Sequence, residues 1–175
     1  MAADVADPVL RALRRTRQVR QFTEEPVDDE ALQAILEVAR WTGSSQNQQL
    51  WTFLVVRDRA IRERIGEVTR YARYVGKAPL AIAIVMPGED LETDAYDEGR
   101  AAERILIAAN ALGLGAGIGW TDGEERAIVG SLLGVNPPAF VRTIMSVGHP
   151  TEAAMQKRSG PGTGRRPLEE FVREL

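Results

Sequence analysis

The sequence predicts an α+β domain, a sheet sandwiched by helices, on three observations. Apolar residues recur at helical spacing in long segments, above all at residues 28–41 and 96–112. Short apolar runs with strand character, about four of them, interleave with those segments. A chain of 175 residues can bury a sizeable core without metal or disulfide staples, and one domain, residues 1–175, is expected. This interleaving favours a layered arrangement.

Residues 4–16 place Val5, Val9, Leu10 and Leu13 at helical spacing. In 28–41 the stripe Leu32, Ile35, Leu36 and Ala39 predicts a second helix, with Asp28 or Asp29 as its cap and Pro26 in the turn before it. Residues 42–50 form a polar loop containing Gly43, Ser44, Ser45, Asn47 and Gln49. The aromatic and β-branched run 51–56 is a strand. Residues 59–74 read as a helix with Ile61, Ile65 and Val68 inward. The continuous apolar run 79–86 predicts a buried central strand, and 87–93 a loop. Residues 96–112 are rich in Ala and Leu and apolar over much of the helix circumference, so a buried helix is expected. Residues 113–119 carry glycine at every second position, as in a helix C-cap running into a strand. A short helix at 123–133 and a strand at 141–147, ending at Gly148-His149-Pro150, complete the body. Residues 159–167 are rich in Gly and Pro and lead to a short amphipathic stretch at 168–175. This tail fits fraying or an arm that docks on a partner.

The composition narrows the chemistry. There is no cysteine, which excludes disulfides, Cys-zinc sites, Fe–S clusters and thiol nucleophiles. A redox role therefore needs a borrowed cofactor. The net charge of −3 gives no sign of a nucleic-acid partner. Basic residues are nevertheless clustered: Arg11, Arg14, Arg15, Arg17 and Arg20 near one end, Lys157, Arg158, Arg165 and Arg166 near the other. Two such clusters on an acidic chain suit a small anionic ligand, although solvated surfaces account for the charge alone. The first residues lack the pattern of a signal peptide, and the longest apolar run, 78–86, contains Pro79 and is too short to span a bilayer. A cytoplasmic location with no membrane partner is expected.

Familiar catalytic constellations are missing. His149 is the one histidine, and a lone His in a strand-end turn is more often structural than catalytic. With one His, a zinc site is not expected, nor is any other metal. Glu24-Glu25, Glu124-Glu125 and Glu169-Glu170 read as solvated faces. The glycines at 113, 115, 117 and 119 do not make a dinucleotide fingerprint, because the long helix precedes them instead of following. They permit either a flat ligand against the backbone or tight helix–strand packing.

The most informative stretch is Arg14-Arg15-Thr16-Arg17-Gln18-Val19-Arg20-Gln21-Phe22-Thr23-Glu24-Glu25-Pro26-Val27. Guanidinium groups grip phosphate through paired, charge-assisted hydrogen bonds. This stretch resembles the N-terminal pattern of the nitroreductase family, Arg-Arg-Ser-x-Arg-x-Phe before a Pro-containing turn and a helix. The likeness continues in order. Ala39-Arg40-Trp41-Thr42-Gly43-Ser44-Ser45-Gln46-Asn47-Gln48-Gln49-Leu50-Trp51 is similar to the family's loop, and so are Lys77-Ala78-Pro79, Ala108-Ala109-Asn110-Ala111-Leu112-Gly113-Leu114-Gly115 and Gly164-Arg165-Arg166-Pro167-Leu168-Glu169-Glu170. Departures fall at Thr16 and Gln18, where the family has a basic residue and Ser, and at Gly43 and Leu50, where it has proline. The chain also lacks the insertion that larger members place over the substrate pocket.

The resemblance implies a three-layer α/β/α sandwich with a mixed, mostly antiparallel sheet of four to five strands. It also implies a C-terminal arm, about residues 159–175, exchanged in a homodimer with shared active sites. It implies FMN as cofactor. Arg17, Gln18 and Arg20 would hold its phosphate and ribityl chain, joined by Arg165 or Arg166 from the arm. Ser44, Ser45, Asn47 and Gln49 would lie along the ribityl chain and ring, contributed by the partner subunit, with Ile118, Gly119 and Trp120 close to the ring. The implied activity is oxidation of NADH or NADPH and reduction of a small electron acceptor, a nitroaromatic or quinone, by a ping-pong scheme. The flavin, not a protein acid or base, would carry the chemistry. An FMN-binding sensor or storage protein without turnover is the alternative.

Overall fold

The computed structural model describes residues 7–156 and 164–175. Four strands form one sheet in the order β1 (Thr52–Val56), β2 (Leu80–Met86), β4 (Phe140–Gly148), β3 (Gly115–Trp120). All three pairings are antiparallel, so the expected mixture of strand directions is absent from the described sheet. Its two central strands, β2 and β4, are almost wholly buried, and for β2 this is what a continuous apolar run requires.

Alternation along β2 divides the core. Leu80, Ile82, Ile84 and Met86 face α2 (Asp29–Arg40) and α4 (Leu91–Ala111), which bring Leu32, Ile35, Ile105 and Ala109. Ala81 and Ala83 face the opposite layer, where Ile65 of α3 (Arg59–Val68) and Val129 of α5 (Gly123–Leu132) pack. Three layers result. Small alanines on one face and large isoleucines on the other let the second helical layer lie close to the sheet.

Helix starts follow local capping. Asp28 accepts from Ala31 N at 2.7 Å, fixing the start of α2. The long helix α4 begins at Leu91, ahead of the expected 96, because Asp90 accepts from Glu92 N and Thr93 N at 3.1 and 3.2 Å. Its first turn is acidic and shows no apolar stripe, which hid it. The expected helix over 59–74 stops at Val68. Thr69 turns extended, with its hydroxyl donating to Ile65 O at 2.8 Å, and a tight turn over Arg73–Lys77 packs back on α3. Gly66 and Gly76 make that return possible: a Cβ at Gly66 would lie 2.8 Å from Arg73 O.

Two shorter helices flank the body. α1 (Pro8–Arg15) is capped by Asp7 and has no buried residue, while Val9, Leu10 and Leu13 stand exposed. The expected start of this helix, at residues 4–6, lies outside the described residues. The short α6 (Glu152–Gln156) was not expected from sequence. Of the C-terminal arm, 164–175 are described, all exposed, and the segment 157–163 lies outside the described residues.

One irregularity marks β4. Ile84 pairs with Thr143 and Val85 with Val141, so Arg142 is an extra residue, a β-bulge. The bulge turns its guanidinium toward α4. There Nε donates to Oε2 of Glu98 at 2.7 Å. Nη2 lies equally near that oxygen but off the bonding direction, and both Nη2 and Glu98 Oε1 lack a hydrogen-bond partner among the described residues.

Candidate functional site

β3 is an edge strand, and an edge strand presents unpaired N–H and C=O groups that must be covered. The arginine-bearing segment covers them. Val19 N donates to Ala116 O at 2.7 Å, and Ile118 N donates to Gln18 Oε1 at 3.2 Å. From the other side the Tyr74 hydroxyl donates to Ile118 O. Burial pushes that hydroxyl's pKa above its ordinary value, with Arg20 opposing, so at neutral pH it keeps its proton and remains a donor. Upstream, Arg17 and Asn110 exchange long backbone–side-chain bonds of 3.4 and 3.5 Å. Downstream, Thr23 N donates to His149 O at 2.9 Å and Thr151 N to Gln21 O at 3.2 Å. The lone histidine thus serves this segment through its backbone.

The alternating glycines now have a defined purpose. A Cβ at Gly115 would stand 2.7 Å from Val19 Cβ, one at Gly117 2.5 Å from Val19 O, and one at Gly119 2.7 Å from Ala72 Cβ. Their bare faces are filled by the chain itself, so close packing is the reason for this repeat. Gly117→Ala should cost about 1–3 kcal/mol, because backbone at Val19 must move to admit the methyl group. Urea denaturation checks this, with the overpacked variant unfolding at lower urea.

Beside this edge lies a cleft of about 440 Å³ lined by Arg20, Arg70, Tyr71, Arg73, Tyr74, Ile118 and Trp120. Arg20 donates to Gln18 Oε1 at 3.1 Å, and its Cζ sits 5.2 Å from the centre of the Tyr74 ring. Arg70 is anchored through its backbone N to Glu125 Oε1 at 2.9 Å, and its guanidinium lies over Tyr71. Among the described residues no carboxylate forms an ion pair with Arg17, Arg20, Arg70 or Arg73. Three aromatic rings and several guanidinium groups without acidic partners suit a ligand that is flat at one end and anionic at the other.

The expected site residues fall into three groups. Gln18, Arg20, Ile118, Gly119 and Trp120 come together around the β3 edge, and Arg17 lies just upstream with its backbone bonded to Asn110 of α4. Ser44, Ser45, Asn47 and Gln49 sit on the loop after α2 and are tied elsewhere, with Ser45 N donating to Asp97 Oδ2 of α4 at 3.2 Å. Gln49 N donates to Ser44 Oγ at 2.9 Å, and Gln46, Asn47 and Gln49 all have positive φ (50°, 59° and 54°). Such backbone is costly outside glycine and clusters at functional loops. Arg165 and Arg166 lie on the exposed arm, where Arg166 pairs with Glu170 at 3.5 Å and stacks on Phe171. Among the described residues no hydrogen bond or ion pair joins these three groups within one chain.

Sequence reading missed Arg70, Tyr71, Arg73 and Tyr74, which it placed on a helix. The alternation of cations and tyrosines just before Gly76 was the available signal: it leaves no apolar stripe for a helix to bury.

Comparison with known proteins gives consistent findings. The model of the family described as "Nitroreductase family" matches residues 13–72. A protein of Archaeoglobus fulgidus, named for NADH dehydrogenase and NAD(P)H nitroreductase activity, is 31% identical over 150 residues, covering 82% of this chain and 86% of its own. The FMN reductase [NAD(P)H] of Bacillus subtilis is 27% identical over 171 residues, covering 85% of this chain and 68% of its own. A crystal structure from Desulfovibrio desulfuricans, described as a nitroreductase in complex with FMN, superposes with a TM-score of 0.80 at 32% identity, covering 98% of each chain.

Proposed function

Because the chain belongs to the nitroreductase family, we propose that the β3 cleft and the arginines of residues 17–20 hold FMN and that the protein is an FMN-dependent NAD(P)H oxidoreductase. The acceptor is a nitroaromatic, a quinone or a related small molecule, reduced in a ping-pong scheme. The observation that carries this reading is the convergence of Gln18, Arg20 and the β3 edge on a cleft of aromatic rings and arginines.

FMN held there would supply the redox chemistry, hydride transfer from NADH or NADPH and electron delivery to the acceptor. The chain's own residues bind and orient. Arg17 and Arg20 offer forked donors to the phosphate, and Gln18, whose Oε1 is held by Ile118 N and Arg20, keeps Nε2 for the ribityl chain. Arg70 and Arg73 lend the cleft positive charge, which favours an electron-rich, anionic ligand. Tyr71, Tyr74 and Trp120 supply flat apolar walls, and Ile118 and Gly119 bring backbone alongside.

A homodimer completes the site. Ser44, Ser45, Asn47 and Gln49 reach the ligand from the second subunit, and Arg165 or Arg166 arrives on an exchanged arm. The separation of these groups within one chain supports this reading. So does the unburied apolar face of α1, with Leu168, Phe171 and Val172 of the arm also exposed. An obligate interface of this kind buries roughly 2,000–5,000 Å². Among the described residues no helix is long and apolar enough to cross a membrane, and the cytoplasm is the proposed location.

The purified protein should be a yellow dimer by sedimentation, release FMN on denaturation, and oxidise NADH or NADPH with a quinone or nitro compound. A colourless protein that takes up no FMN on titration overturns the reading. A yellow protein without turnover leaves a flavin-binding sensor or storage role.

A further inference from the structure

Trp120 ends β3 with its side chain in the cleft, and its residue is 45% exposed. Behind it stands Arg142, whose Cζ lies 5.6 Å from the centre of the Trp120 ring and 5.1 Å from that of Phe140. Arg142 reaches this place only because the β4 bulge re-aims it, and Glu98, 2% exposed, fixes its Nε. The pair is a poor device for stability alone. It costs desolvation of two charges, leaves Glu98 Oε1 and Arg142 Nη2 without partners, and needs a break in the ladder. What it does achieve is a fixed cation behind an exposed indole, and a guanidinium beside a ring restrains where that ring sits.

The geometry points to Trp120 as the residue that selects planar aromatic acceptors by stacking, and to the Glu98–Arg142 pair as the positioning residues that hold its indole in the cleft. The inference rests on the oxidoreductase reading above. Stacking requires a flat partner, so a bicyclic quinone gains from Trp120, whereas a compact octahedral oxidant such as ferricyanide does not.

The test compares menadione with ferricyanide on FMN-loaded dimer. In Trp120→Leu the ratio of kcat/KM for menadione to that for ferricyanide should fall roughly tenfold. In Glu98→Leu/Arg142→Met, which removes both charges together, it should fall by about threefold while FMN content is kept. A second measurement needs no turnover. Trp51 is 9% exposed and Trp41 67%, so in a Trp41→Phe background the accessible indole is Trp120. On the FMN-loaded dimer menadione should quench its remaining fluorescence saturably there, and adding the double substitution should weaken that quenching severalfold. An unchanged ratio in Trp120→Leu together with linear quenching overturns the inference. A wild-type ratio in the double variant, with Trp120→Leu altered, overturns the positioning role. If the protein oxidises neither NADH nor NADPH, the oxidoreductase reading fails by itself, and the quenching arm still decides whether Trp120 receives a planar ligand.

Discussion

Arg142→Met alone should lower the free energy of unfolding by about 3–5 kcal/mol, a large fraction of what holds a domain of this size together. The reason is the partner left behind. Glu98 lies in the core side of α4 and is 2% exposed, with Arg142 Nε donating to its Oε2 and no hydrogen-bond partner for Oε1 among the described residues. Removing the cation strands a carboxylate where water cannot reach it. Glu98→Leu should be similarly damaging through the orphaned guanidinium. The double variant Glu98→Leu/Arg142→Met should recover most of the loss, because neither charge then needs a counterpart and the volumes are nearly kept. Urea denaturation of the three variants gives the coupling energy directly. Equal losses in the double and single variants would mean that packing around the methylene stems, not charge pairing, sets the cost.

The second large effect concerns the cofactor. In Arg17→Ala/Arg20→Ala the dissociation constant of FMN should rise by more than about a hundredfold, from roughly 1.5–3 kcal/mol for each charged hydrogen bond lost. Fold stability should hardly change, because both side chains are exposed and neither forms an ion pair. Titration of apoprotein with FMN, read by flavin fluorescence, checks it. Raising the salt concentration should weaken wild-type binding more than variant binding, since the lost contacts are ionic. An unaltered constant in the double variant moves the phosphate to other cations, with Arg73 and the arm's Arg165 the next to replace.

Much of this was legible in the chain. The helix α2 and the buried strand β2 followed from Leu32, Ile35 and Ala39 at helical spacing and from the unbroken apolar run, because each pattern has a face that must leave water, while the three-layer order came from the family resemblance. The order of Arg17, Gln18, Arg20 and the Ser44–Gln49 loop carried the family resemblance. The losses have physical causes. Helix periodicity at Ile61, Ile65 and Val68 does not announce that Thr69 leaves the helix, so Tyr71, Arg73 and Tyr74 were hidden in an expected helix although they line the cleft. Alternating glycines are ambiguous until their neighbours are known, and the neighbours proved to be Val19 and Ala72. A β-bulge depends on two strands at once, so no single segment could reveal that Arg142 turns toward Glu98.

Backbone bonds at Val19 and Thr23, with the bridge from Phe22 to Pro150, bind the segment 17–23 to the sheet before any ligand arrives. The backbone that carries its arginines is therefore preorganised: the ordering entropy of that backbone is spent during folding, and the incoming anion has only the exposed side chains left to order. Uptake should then be limited by encounter and by subunit assembly rather than by a slow rearrangement of the phosphate-facing strand, and the empty and loaded forms should protect the amides of Val19 and Thr23 from hydrogen exchange to a similar degree.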